Sequence, residues 1–182
     1  MKSMGPSPQY RVNPNIGKAN LFIGQMIRFD ALSKMKQTEV LFREIKEIYL
    51  PELRDGSGTL FENYNEFSGC HGFNGAIGAL LMSDILGLGQ PMQKDKTIVI
   101  CPNPCGLLWA SGSAECDDGR MFMKWNADYE EHALDVTVRL PECWNAVVQI
   151  PFELNGWTII INKKVYQEGC QSICVENSKN YL

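Results

Sequence analysis

The hydrophobic pattern changes period near residue 90. Before it, apolar residues recur at helical spacing; after it they come in short runs separated by polar turns. Residues 17–36, "GKANLFIGQMIRFDALSKMK", predict a helix with Phe22, Met26 and Phe29 on one stripe. Ile23, Ile27 and Leu32 widen that stripe, the pattern of a helix buried on more than one side. Residues 38–50, "TEVLFREIKEIYL", predict a cleaner amphipathic helix. Leu41, Ile45, Ile48 and Tyr49 face inward, Glu39, Arg43, Lys46 and Glu47 face water, Thr38 is placed to cap the start, and Pro51 to set the end. "LRDGSGT" reads as a loop, and residues 73–86, "FNGAIGALLMSDIL", as a third helix closed by Gly87. Gly75, Gly78 and Ala79 in that segment imply close approach of another backbone, since each helical glycine costs roughly 1 kcal/mol.

From residue 97 the runs "TIVIC", "GLLWAS", "RMFMKWN", "HALDVTVRL", "WNAVVQIP", "WTIIIN" and "SICVE" predict about seven short strands, with turns at "CDDGR" and "ELNG". Leu134, Val136 and Val138 alternate onto one face. The expected fold class is therefore α+β: about three helices in residues 1–90, then an antiparallel β-sandwich in residues 91–182. Three helices with wide apolar faces do not bury themselves. They pack on the sheets, or on a larger helical body carried elsewhere.

Composition narrows the function classes. The chain has 182 residues, 45% of them hydrophobic, and a formal net charge of -4, with no basic run of the kind that binds nucleic acid. No apolar stretch reaches membrane-spanning length, and the first residues lack the apolar core of a signal peptide. Seven cysteines, an odd number at irregular spacing, argue for free thiols in a reducing compartment, and on that basis a cytoplasmic location is expected. Cys101 with Cys105, and Cys170 with Cys174, have a spacing that zinc permits, but Pro102 and Pro104 stiffen the first pair and the second falls in a strand, so no metal is expected. No phosphate-binding glycine loop or serine-nucleophile motif is present, and no cofactor is expected.

The candidate chemistry lies in "GTLFENYNEFSGCHGFNG", residues 58–75. Glu62 stands among Phe61, Asn63 and Tyr64, with His71, one of two histidines, close behind. A carboxylate beside aromatic rings is partly desolvated, which favours a general base. Aromatic faces stack on sugar rings, while amides and imidazole bond to hydroxyls. The set also fits a bland reading of solvated carboxylate, core aromatics and helix-start histidine. Trp109, Trp125, Trp144 and Trp157 read mostly as core or interdomain contacts, with a carbohydrate-binding face as the minority reading.

"GTLFENYNEFSGCHGFNGAIGALLMSDILGL" resembles the C-terminal part of the bacterial α-L-rhamnosidase family of glycoside hydrolases, with its T-L-W-E and N-H-G motifs. "KTIVICPNPCGLLWASGSAECDDGRMFMKW" is similar to the start of that family's C-terminal sandwich. The resemblance implies an (α/α)6 barrel followed by a sandwich, metal-free hydrolysis of terminal α-L-rhamnosides with inversion, Glu62 as general base, and His71 at the sugar. Phe61 stands where the family has Trp, and Cys70 where it has Asn. It further implies that these residues are a C-terminal fragment, holding the base but not the acid, whose partners are a carbohydrate and the N-terminal barrel portion; alone, the chain is expected to be inactive. The competing expectation is a non-catalytic carbohydrate-binding or structural sandwich with a helical docking layer.

Overall fold

The computed structural model describes residues 15, 19–21, 23–54, 58–62, 72–90, 94–166 and 172–175. The chain forms two compact units, Met1–Leu80 and Leu81–Leu182.

In the first unit, α1 spans Ile23–Lys34 and α2 spans Thr38–Arg54. The start of α1 is later than its apolar pattern predicts because Asn20 caps it: its side-chain oxygen accepts the Gly24 N–H at 2.6 Å. The helix closes with Lys36 in the left-handed region, φ 55°. There Gln37 N–H donates to Leu32 O and Lys36 N–H to Ser33 O, both at 2.9 Å, the paired bonds of a Schellman end. Gln37 rather than Thr38 then occupies the cap of α2, its carbonyl accepting from Leu41 N–H. Leu41, Ile45, Ile48 and Tyr49 are buried as expected, and the Phe29 and Tyr49 rings meet at 6.4 Å. The apolar circumference expected of α1 is corrected. Ile23 and Ile27 are exposed, whereas Gln25 and Arg28 are buried. Burial of Arg28 is tolerated because Glu44 meets it with two 2.6 Å bonds, from Nε and Nη2. Pro51 does not end α2: the helix runs through it to Arg54 and carries Glu52 to a buried position.

The third helix is also corrected. A 3-10 turn, Gly72–Gly75, leads into the five-residue α3, Ala76–Leu80, and the second unit opens with a π-helical segment, Leu81–Leu86. A Cβ built on Gly75 or Gly78 meets nothing within 4 Å, so close approach does not explain those glycines. It does explain Gly87, which ends the π segment at φ 86° and where a Cβ would lie 2.3 Å from the Cys101 backbone. Trp125 Nε1–H donates to Leu86 O at 3.1 Å, satisfying a carbonyl at the helix end.

The strands are β1 (Thr97–Ile100), β2 (Trp109–Cys116), β3 (Gly119–Asp128), β4 (Ala133–Arg139), β5 (Asn145–Gln149), β6 (Thr158–Ile161), β7 (Lys164–Tyr166) and β8 (Ser172–Val175). They form two sheets, ordered β1-β5-β8 and β2-β3-β4-β6-β7. The expectation of a strictly antiparallel sandwich is corrected, because β1 pairs with β5, and β4 with β6, in parallel. The cause is topological. The chain leaves the five-stranded sheet after β4, lays β5 into the other sheet, and returns to β6 in the direction of β4. On the buried face, Ala110, Trp125, Val136 and Ile161 stand opposite one another across four strands. Before the sheets, the described helical elements are the packed pair α1 and α2, the 3-10 turn, α3 and the π segment, and no barrel closes among the described residues.

Candidate functional site

Of the residues expected at the sugar, Glu62 and Phe61 lie within the described structure; Asn63, Tyr64 and His71 lie outside the described residues. Glu62 is half-buried, and Phe61 is buried at 9% exposure.

The peptide groups of Phe61 are held on both sides. Its N–H donates to Glu52 Oε2 at 3.0 Å, and its carbonyl accepts from Asn74 Nδ2. Glu52 comes from the last turn of α2 and Asn74 from the 3-10 turn, with exposures of 7% and 3%. Two buried polar side chains thus fix the backbone one residue before the candidate base. A buried N–H and a buried C=O require partners, and here both partners come from segments that flank the loop in sequence. The clamp fixes the backbone at Phe61, with the half-buried Glu62 next to it.

Glu52 and Asn74 are not among the residues expected at the site. Glu52 had a signal: Ile45, Ile48, Tyr49 and Glu52 follow helical spacing, so continuing the stripe past Pro51 places the carboxylate inside. Asn74 had none.

In the second unit, Asp118 gathers donors. Lys96 Nζ pairs with its carboxylate, Trp144 Nε1–H donates to it at 2.8 Å, and the Lys96 ammonium lies 5.4 Å from the centre of the Trp144 ring. Hydrogen bonding from Lys96, then from Trp144, holds the Asp118 carboxyl below its ordinary range, and the same bond raises Lys96. The arrangement ties the β2–β3 turn to the entries of β1 and β5, a structural role.

Among the described residues, no group of three or more His, Cys, Asp and Glu side chains could hold a metal ion, and Cys101, Cys105, Cys116 and Cys143 form no disulfide. Cys170 lies outside the described residues. No helix among them is long and apolar enough to cross a membrane. The cytoplasmic expectation is withdrawn, since thiols outside disulfides do not by themselves fix a compartment.

Comparison with known proteins agrees with the family resemblance at a coarse level. Residues 95–156 match the bacterial alpha-L-rhamnosidase C-terminal domain. An alpha-L-rhamnosidase of Formosa agariphila is 24% identical over 178 residues, covering 88% of this chain and 19% of that protein. The crystal structure of a GH78 family rhamnosidase of Bacillus sp. GL1 shares the fold with a TM-score of 0.70 at 23% identity, covering 86% of this chain and 17% of that one. The chain therefore spans less than a fifth of the length of these relatives, and it is similar to α-L-rhamnosidases at low identity over that part.

Proposed function

We propose that Glu62 is the water-activating base of a glycoside-hydrolase site of the inverting α-L-rhamnosidase kind, and that the proton donor is supplied from outside these residues. The observation that carries this reading is the double clamp on Phe61, which presents the adjacent carboxylate from a fixed backbone. A general base acts only when held within hydrogen-bond reach of the proton it removes. In an inverting pair, acid and base stand about 6.5–9.5 Å apart, with the attacking water beside the base. The coverage of 19% and 17% of the relatives supports placing the acid elsewhere. On this reading Phe61, Asn63, Tyr64 and His71 are the residues that contact the sugar. Residues 1–90 belong to the catalytic part, and residues 91–182 to a C-terminal accessory domain, a division supported by the family match over 95–156.

The test is hydrolysis of an aryl α-L-rhamnoside by the longest natural polypeptide that contains these residues. Glu62→Gln lowers kcat about 10²–10⁴-fold with little change in KM, because general-base catalysis contributes about that factor. Full activity in Glu62→Gln would rule the assignment out. The 182 residues alone are expected to give no turnover.

A further inference from the structure

The Trp109 ring is not where a core reading puts it. Trp125 and Trp144 are fully buried, but Trp109 is 62% exposed. It opens β2 on the face of the five-stranded sheet opposite the buried row. Residues paired across a sheet point to the same side, so the register defines what surrounds it. Trp109 stands opposite Asn126 of β3, Asn126 opposite Asp135 of β4, and Asp135 opposite Ile160 of β6. Two residues further along, Ser111 stands opposite Lys124. Asn126, Asp135, Ser111 and Lys124 are all exposed.

Elsewhere on this sheet, outward charges are engaged. Glu115 bonds Arg120 at 2.5 Å, Asp128 accepts from Glu130 and Glu131 N–H groups, and Arg139 lies over the Phe122 ring. Beside Trp109, the side chains of Asn126, Asp135, Ser111 and Lys124 have no hydrogen-bond or ion-pair partner among the described residues. An exposed indole face therefore adjoins an amide, a carboxylate, a hydroxyl and an ammonium, none of them partnered among the described residues. With strands about 4.8 Å apart, Trp109 to Asp135 spans roughly 10 Å, enough for one or two pyranose rings.

We propose that this face of the five-stranded sheet, centred on Trp109, is a saccharide-binding surface separate from Glu62. A sugar ring lays its C–H face on the indole, and its equatorial hydroxyls bond to Asn126, Asp135, Ser111 and Lys124. Both ligand features are required: a purely apolar partner would desolvate four unpaired polar groups, and a purely ionic one would leave the indole face without a role. The inference does not depend on Glu62 being a base.

Titration of the full chain with methyl α-L-rhamnopyranoside, and separately with methyl β-D-glucopyranoside, followed by amide chemical shifts and calorimetry, tests it. Saturable binding of at least one glycoside is expected, with shifts confined to the outward positions of β2, β3 and β4. Trp109→Ala should weaken that binding about tenfold or more, a change of about 1.4 kcal/mol, Asn126→Ala should weaken it less, and Trp109→Phe should retain most of it. Sedimentation of each variant reports self-association. Absence of binding by both glycosides, binding unchanged in Trp109→Ala, or loss of a dimer rather than of sugar binding in that variant, overturns the proposal.

Discussion

The amide of Phe61 donates to the carboxylate of Glu52 across 3.0 Å, joining the last turn of α2 to the residue that precedes Glu62. Glu52 reaches that position only because α2 continues through Pro51. An interior proline removes one helical hydrogen bond and crowds the preceding turn, so the extension is maintained by what it delivers. The Asn74 amide on the carbonyl side completes the hold.

Removing either arm should loosen the loop. Glu52→Ala and Asn74→Ala are each expected to cost about 1–3 kcal/mol, because each leaves a buried backbone group unsatisfied. Glu52→Gln keeps an acceptor and should cost less. Chemical denaturation gives the stabilities, and hydrogen exchange of the Phe61 amide gives the local effect; an unchanged exchange rate in Glu52→Ala would contradict the clamp.

The Arg28–Glu44 pair makes the opposite kind of prediction. Both side chains are buried. Removing one partner strands the other charge, so Arg28→Met alone or Glu44→Leu alone should cost about 3–5 kcal/mol. The double variant should recover most of the loss, since replacing both charges by apolar groups is often near neutral. A double-mutant cycle in urea measures the recovery, and strict additivity would contradict the buried pair.

Asp118 and Lys96 bound stability at the two ends of the pH scale. The Asp118 carboxyl is lowered from 3.8, so its contribution is present above that value and lost as pH falls below it through the folded-state value. The Lys96 ammonium is raised from 10.5, so its contribution is present below that value and lost as pH climbs above it. Asp118→Asn should flatten the acid limb of the stability profile near pH 4 and leave the slope at pH 6–8 unchanged. Thermal melting across pH checks both limbs.

Gly87 carries backbone geometry that no other residue fits. Its φ of 86° alone strains a side chain by about 1–3 kcal/mol. The Cβ would also strike the Cys101 carbonyl group, where Cys101 N–H bonds Gly87 O at 2.8 Å. Gly87→Ala is therefore expected to cost more than the backbone strain, while Gly78→Ala, in open space within α3, should be neutral or stabilising by about 1 kcal/mol. Their midpoints in denaturant make the comparison.

Elements set by local periodicity were legible in the sequence, and those set by long-range pairing were not. The inward face of α2 and the alternation of Leu134, Val136 and Val138 follow from side-chain spacing alone. The parallel pairings of β4 with β6 and β1 with β5 depend on which sheet receives β5, which no local pattern records. Arg28 and Glu44 occupy positions on apolar stripes, so their spacing places them inside; only their mutual pairing makes the burial tolerable. At the candidate site, motif and composition single out Glu62 as the candidate base. Of the side chains that hold Phe61, Glu52 continues the α2 stripe but lies beyond a proline that ordinarily ends a helix, and Asn74 follows no pattern.

Anomeric stereochemistry tests the catalytic assignment of Glu62 most directly. The polypeptide bearing these residues would be given an aryl α-L-rhamnoside and the first-formed sugar followed by proton NMR, with Glu62→Ala run in parallel in sodium azide. The assignment requires β-L-rhamnose as the first product, loss of hydrolysis in the variant, and azide capture as the β-rhamnosyl azide, since a small anion occupies the place of the attacking water. First-formed α-L-rhamnose, or undiminished hydrolysis in Glu62→Ala without azide, would contradict it.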